Sequence, residues 1–133
     1  MPGRLLATLI LGAGLLIAGQ PLVAHHSETA EYDNTRPVKV TGILKKVEWQ
    51  NPHVWFYVDV KEADGSVATW GFSTAPPGSL MRRGINKTVF KIGEVVNVEG
   101  SRARDGSNNA SGRRVTFADG RNVMTAPGEG AER

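Results

Sequence analysis

Residues 54–60, Val-Trp-Phe-Tyr-Val-Asp-Val, restrict the fold more than any other stretch of the chain. Val54, Phe56, Val58 and Val60 alternate with Trp55, Tyr57 and Asp59. A period of two is that of a β-strand with one face in a core. Ala63-Asp64-Gly65 follows, and an Asp-Gly pair tolerates the positive φ of a hairpin turn. The chain then returns from Val67 to Phe72, with Trp70 and Phe72 sharing a face.

The segments on either side extend the pattern. After Arg36-Pro37, Val38 and Val40 alternate with Lys39 and Thr41. Beyond Gly42 the phase changes, so that Ile43, Val47 and Trp49 fall on one side. A glycine at a phase change reads as a bulge, and a long strand coiled at a bulge suits a small closed barrel. Asn51-Pro52 stops this strand. Pro76 to Gly84 has a Pro/Ser start and a Gly stop, which frame a short helix. Lys91-Ile92-Gly93-Glu94 turns into a fourth strand, with Val96 and Val98 inward. Arg104 to Gly112 is rich in turn formers and reads as a loop. Val115-Thr116-Phe117 is a fifth strand ended by Asp119-Gly120, with a further short strand at Asn122-Val123. Three strands, a short helix and two strands define an all-β fold: a small five-stranded OB-like Greek-key barrel with one short helix between strands three and four. An open meander with the helix on one face is the alternative. The chain carries no internal repeat.

The N-terminus reads as an export signal. Arg4 precedes an apolar run from Leu5 to Ala18, Gly19-Gln20-Pro21 breaks it, and Leu22-Val23-Ala24 ends on a small residue. The run is short for a membrane span, which takes about 20 residues. Without cysteine at the cut, a lipoprotein is excluded. Cleavage after Ala24 predicts a periplasmic or secreted protein with no stable membrane anchor, starting at His25. The resulting division is signal peptide 1–24, N-terminal arm 25–36, barrel 37–124 and disordered tail 125–133. A chain of 133 residues without cysteine is one domain that holds together through its core alone. The formal charge of +3 does not demand nucleic acid as a partner.

Several strings together resemble a family of small exported bacterial proteins classed as a domain of unknown function. They are Ala24-His25-His26-Ser27, Glu31-Tyr32-Asp33, residues 40–60, Met81 to Ile85, Lys91 to Gly100, Arg104 to Ser107 and Phe117 to Arg121. The pairing of His-His-Ser at the mature start with Trp-x-Asn-Pro-His is the specific part. The resemblance implies export and a β-rich, OB-like fold, and it supplies no established activity. Members more often carry an acid after the strand-three Trp and a Gly-Trp at the helix end. This chain has Trp70-Gly71 and Gly84-Ile85 in those places.

Three chemistries are on offer. His25 at a free N-terminus presents an amine with a pKa near about 7.7–8.0 and an imidazole near about 6.5, both available as neutral donors. His26 adds a third nitrogen, and His53, the remaining histidine, is the scaffold residue available to complete a set. A nitrogen-rich, cysteine-free set suits copper(II) ahead of nickel or zinc. The arm can span on the order of 40 Å at ~3.3 Å per residue, so reach is no obstacle. The alternative is that the paired histidines are ordinary solvated residues and that His53 bonds locally in its corner. The second chemistry is an aromatic face: Trp49, Trp55 and Tyr57 lie near that corner, on the strand where OB-folds bind ligands. Such a face suits an envelope protein or small ligand, unless the arm or helix covers it. The third is the paired basic residues Arg82-Arg83, Arg102 with Arg104, and Arg113-Arg114. Interspersed acids and export favour a solvated surface over nucleic acid, with a polyanionic envelope component second. No nucleophile elbow, phosphate loop or His-Glu-x-x-His is present, and no catalytic residue is assigned. The sequence thus reads as a monomeric binding module rather than an enzyme.

Overall fold

The computed structural model describes residues 28–126. The expected signal peptide and cleavage site, His25, His26 and residues 127–133 lie outside the described residues. Residues 1–30 group as one unit, of which only 28–30 are described, and the chain from Glu31 onward forms a second.

The second unit is all-β. Its strands are β1 (Tyr32–Glu48), β2 (Trp55–Lys61), β3 (Val67–Ser73), β4 (Val95–Ala103), β5 (Asn109–Phe117) and β6 (Asn122–Met124). A short helix, α1 (Pro77–Arg82), and a 3-10 turn at Lys87–Val89 lie between β3 and β4. The sheet runs β3-β2-β1-β4-β5-β6, and a parallel pairing of β3 with β5 closes its first five strands into a ring. Every other pairing is antiparallel. Closure leaves β6 as the outlying strand, beside β5.

The ring is filled by the residues that alternation assigns inward. Val54, Phe56 and Val58 on and just before β2, Trp70 and Phe72 of β3, Val96 and Val98 of β4, and Val115 and Phe117 of β5 are all buried. Leu80 of α1 and Ile85 and Phe90 beyond it join the same core. Each such side chain contributes about 1.5–3 kcal/mol on leaving water. Phe90 links the helical connection to the sheet, with its ring centroid 4.5 Å from that of Phe56 and 5.8 Å from that of Phe117.

Four turns and the register irregularity early in β1 use one local device. The side-chain oxygens of Asp33, Asp64, Asn86, Asp105 and Asp119 accept the backbone N–H of Thr35, Ser66, Thr88, Ser107 and Arg121 respectively. An acceptor two residues ahead closes a turn from within the chain. Hydroxyls at Thr35 and Ser66 donate to the same carboxylate oxygens. These bonds hold the Asp33, Asp64, Asp105 and Asp119 carboxyls below the usual aspartate range.

Four expectations from the sequence need correction. The phase of β1 changes after Leu44 rather than at Gly42. Leu44 is buried, Ile43 is 51% exposed, and the register with β2 shifts between Leu44 and Lys46. Gly42 serves close packing instead, since a Cβ there would stand 2.3 Å from the Asp59 carbonyl oxygen and glycine lets β1 press onto β2. The N-terminal arm is shorter than 25–36, because residues 28–31 form a helical turn and β1 starts at Tyr32, paired with Ala103. Residues 109–112 are strand, not loop, and Asn109, Ala110 and Ser111 are the ring-closing partners of Gly71, Phe72 and Ser73. Finally, the expected disordered tail does not begin at residue 125. Thr125 is fully buried, its N–H donates to the Arg113 carbonyl, its hydroxyl donates to the Gly112 carbonyl, and its own carbonyl accepts from Ala75.

Candidate functional site

Register places the outward residues of neighbouring strands in rows. Lys46 of β1, Tyr57 of β2, Gly71 of β3 and Asn109 of β5 form one row. Glu48, Trp55, Ser73 and Ser111 form the next. Trp55 and Tyr57 are two apart on β2, so they project to the same side. Their ring centroids are 6.2 Å apart and the planes lie within 18°. Both side chains are half-buried, unlike Phe56 and Val58 on the opposite face.

Gly71 makes room for them. A Cβ at that position would be 3.4 Å from Trp55 and Tyr57 ring carbons and 2.6 Å from the Asn109 side-chain oxygen. The two rings therefore lie against bare backbone, beside an amide. Where the resemblance expects an acid after Trp70, this chain has the residue that leaves the rings flat on the sheet.

A charged clamp fixes Tyr57. Its hydroxyl donates to Glu48 Oε2 at 3.1 Å, while Lys46 donates to Glu48 Oε1. The Lys46 ammonium stands 5.4 Å from the Tyr57 ring centroid. The Lys46 hydrogen bond holds the Glu48 carboxyl below its ordinary range, helped by Tyr57. In turn Glu48 raises Lys46. Burial, then the carboxylate, raises the Tyr57 phenol, which stays protonated and donating. Further along β2, Asp59 pairs with Lys45 at 3.5 Å and accepts from the Thr69 hydroxyl at 2.6 Å. Charges on this face thus neutralise one another and leave an aromatic, polar-rimmed surface.

Trp49, partly buried, packs against the core, as does Val47. The aromatic surface is the Trp55–Tyr57 pair.

His53 sits at the end of the β1–β2 connection, next to the cis Asn51–Pro52 bond. It is half-buried, with Nδ1 2.8 Å from the Thr74 carbonyl oxygen. A carbonyl only accepts, so Nδ1 carries the proton and, in the neutral ring, the lone pair lies on Nε2. Thr74 is held in place by donating its N–H and its hydroxyl to the Val54 carbonyl. Among the described residues, no group of three or more His, Asp or Glu side chains is placed to hold a metal. His25 and His26, the other two expected ligands, lie outside the described residues.

Most of the basic pairs have local duties. Arg83 donates to the Met124 and Ala126 carbonyls, and Arg82 donates to Ser79. Arg102 lies 5.3 Å over the Trp70 ring and donates to the Gly106 carbonyl. Arg104 stands 3.8 Å from Asp33.

Sequence reasoning found Trp55 and Tyr57 through alternation, and missed Gly71, Asn109, Lys46 and Glu48. The absent acid at position 71 was the one signal the sequence offered. The others take their places through cross-strand register.

Fold and surface define a small closed β-barrel that presents a stacked aromatic pair on one outer strand. The chain belongs to the Family of unknown function (DUF6152), matched over residues 13–113. No curated protein matches it. Among solved structures it is similar to the mitochondrial single-stranded DNA binding protein Rim1 of S. cerevisiae, at 9% identity and a TM-score of 0.49, over 66% of this chain and 95% of that one. Among the described residues, no helix is long and apolar enough to cross a membrane.

Proposed function

We propose that this protein is an exported, monomeric binding module, an OB-like five-stranded Greek-key barrel that takes a protein partner or small envelope ligand on the outer face of β2. The carrying observation is the half-exposed Trp55–Tyr57 stack over Gly71. Large aromatic surface left open to water is unusual on a self-contained domain and favours contact with a partner. The internally neutralised Lys46–Glu48 and Lys45–Asp59 pairs make that contact one of stacking and hydrogen bonding more than of charge. Pull-down from a periplasmic extract with the wild type and with the double variant Trp55→Ala/Tyr57→Ala tests this. A partner held by the wild type and lost from a folded double variant supports the face; equal retention by both removes it.

A second reading is a copper site formed by the His25 amine and imidazole, His26 and His53. The observation favouring it is the Nδ1 bond of His53 to Thr74, which leaves Nε2 as the available donor. Histidine ligands are commonly oriented by such a bond from the other ring nitrogen. Copper(II) should bind protein with an authentic His25 start far more tightly than protein carrying one extra residue ahead of it. Equal weak affinity in both, unchanged by His53→Ala, rejects the site.

A further inference from the structure

Another part of the barrel, formed by β1, β4, β5 and β6, carries a groove of about 430 Å³. Lys39, Glu99, Gly100, Arg113, Arg114 and Met124 are among its lining residues. Two adjacent arginines on one strand ordinarily point to opposite faces. Here the register between β4 and β5 shifts: Glu99 pairs with Arg114 and Gly100 with Gly112, so Arg113 is the extra residue of a bulge. Both arginines are consequently exposed between buried Gly112 and buried Val115. Gly100 is what permits this, since a Cβ on it would stand 2.0 Å from the Ser111 carbonyl oxygen.

The charges in the groove are unevenly matched. Glu99 is the carboxylate there, and it pairs with Lys39 at 3.3 Å although Arg114 stands opposite it in register. Among the described residues, neither Arg113 nor Arg114 has a carboxylate within ion-pair distance. Their partners are neutral. Arg113 donates from Nη2 to the Asn34 side-chain oxygen at 2.6 Å, and Arg114 donates from Nε to the Met124 sulfur at 3.4 Å. Asn34 also accepts from Ser101, which steadies the Arg113 end. With Nε of Arg114 engaged, its two terminal nitrogens remain as a fork suited to an oxyanion.

We infer that the β5 bulge builds an oxyanion-binding groove, in which the Arg114 fork and the Arg113 guanidinium take a phosphate group. The site is separate from the aromatic face and does not depend on it. The phosphate can be free or can belong to a lipid headgroup, and the test distinguishes the two. Inorganic phosphate is titrated at low ionic strength while the arginine Nε–Hε NMR signals are followed. In a second arm, vesicles of phosphatidylglycerol with phosphatidylcholine are compared with phosphatidylcholine alone. Saturable shifts at Arg113 and Arg114 are expected. Arg114→Gln should weaken binding about tenfold, in line with loss of a charged hydrogen bond. Arg114→Lys, which keeps the charge and loses the fork, should recover only part of it. Arg82→Gln, on α1 outside the groove lining, should leave binding unchanged. Phosphate binding without vesicle binding assigns a free ligand; vesicle binding that phosphate competes away assigns a headgroup. Absence of saturable binding in both arms, or equal weakening by Arg82→Gln, overturns the proposal. Melting curves check that each variant is folded, and the Arg114 variants should leave the Arg113–Asn34 bond intact.

Discussion

The outer face of β2 and β3 and the outer face of β4 and β5 solve one packing problem in two ways. Each has a glycine where a side chain would collide: Gly71 beneath two aromatic rings and Gly100 against the Ser111 carbonyl. At Gly71 the obstacle includes the movable tip of Asn109, and the strand stays regular. At Gly100 the obstacle is backbone, and the strand opposite bulges. The first face pairs off its charges and displays apolar surface. The second turns two guanidiniums outward with neutral partners only. Close strand approach therefore yields a flat stacking surface or a charged groove according to whether the register holds or slips.

That contrast can be broken directly. Gly100→Ala should have the largest effect, about 3 kcal/mol or somewhat more, because the backbone must move. A thermal melt reads the loss, and the groove should open at the same time. Gly71→Ala should cost less, about 1 kcal/mol, since the Asn109 amide can rotate away. Its signature is a change in Trp55 fluorescence with the groove arginines undisturbed. A double-mutant cycle on Trp55 and Tyr57 should return a coupling of about 0.5–1 kcal/mol, the scale of a stacked pair. Replacing Met124 by Leu should be smallest, within about 0.5 kcal/mol, as a surface change that removes one weak sulfur acceptor.

Acid should act on the loops and on the β2 face together. Asp33, Asp64, Asp105, Asp119 and Glu48 are all held below their ordinary carboxyl range by hydrogen bonds. A depressed carboxyl contributes stability above its unfolded value, about 3.9 for Asp and about 4.3 for Glu, and loses it as pH falls through the folded value. Urea midpoints should thus be flat in mildly acidic to neutral buffer with respect to these groups and decline below about pH 4. Glu48→Gln should remove its share of that decline while leaving the Asp contribution. An unchanged midpoint between about pH 5 and about pH 2 would contradict the turn device.

Legibility in the sequence followed local patterning. β2, the Asp64-Gly65 turn, the inward residues of β4 and the short helix could be read because period-two alternation and end signals are confined to a few neighbouring residues. The first half of β5 could not. Asn109-Ala110-Ser111-Gly112 has low strand propensity, and its extended form comes from the gap between β3 and β4 that it fills. Ile43 read as sharing a face with Val47 and Trp49 because Gly42 offered a place for the phase to change, whereas register with β2 puts the change after Leu44. Thr125 read as tail because its burial depends on carbonyls of residues 112 and 113. The same division holds for the site: Trp55 and Tyr57 were visible by alternation, whereas Gly71 and the Arg113 bulge belong to pairings between distant strands.

The parallel contact between residues 71–73 and 109–111 also predicts an order of assembly. Hairpins β2–β3 and β4–β5 join segments close in the chain and can form early, but this contact must wait until both are in place, at a high loop-closure cost. It is three residue pairs long and rests on Gly, Phe, Ser, Asn, Ala and Ser, with Phe72 and Ala110 alone directed into the core. The circle is completed by its thinnest rung, and amide exchange should find that rung first to open and last to form.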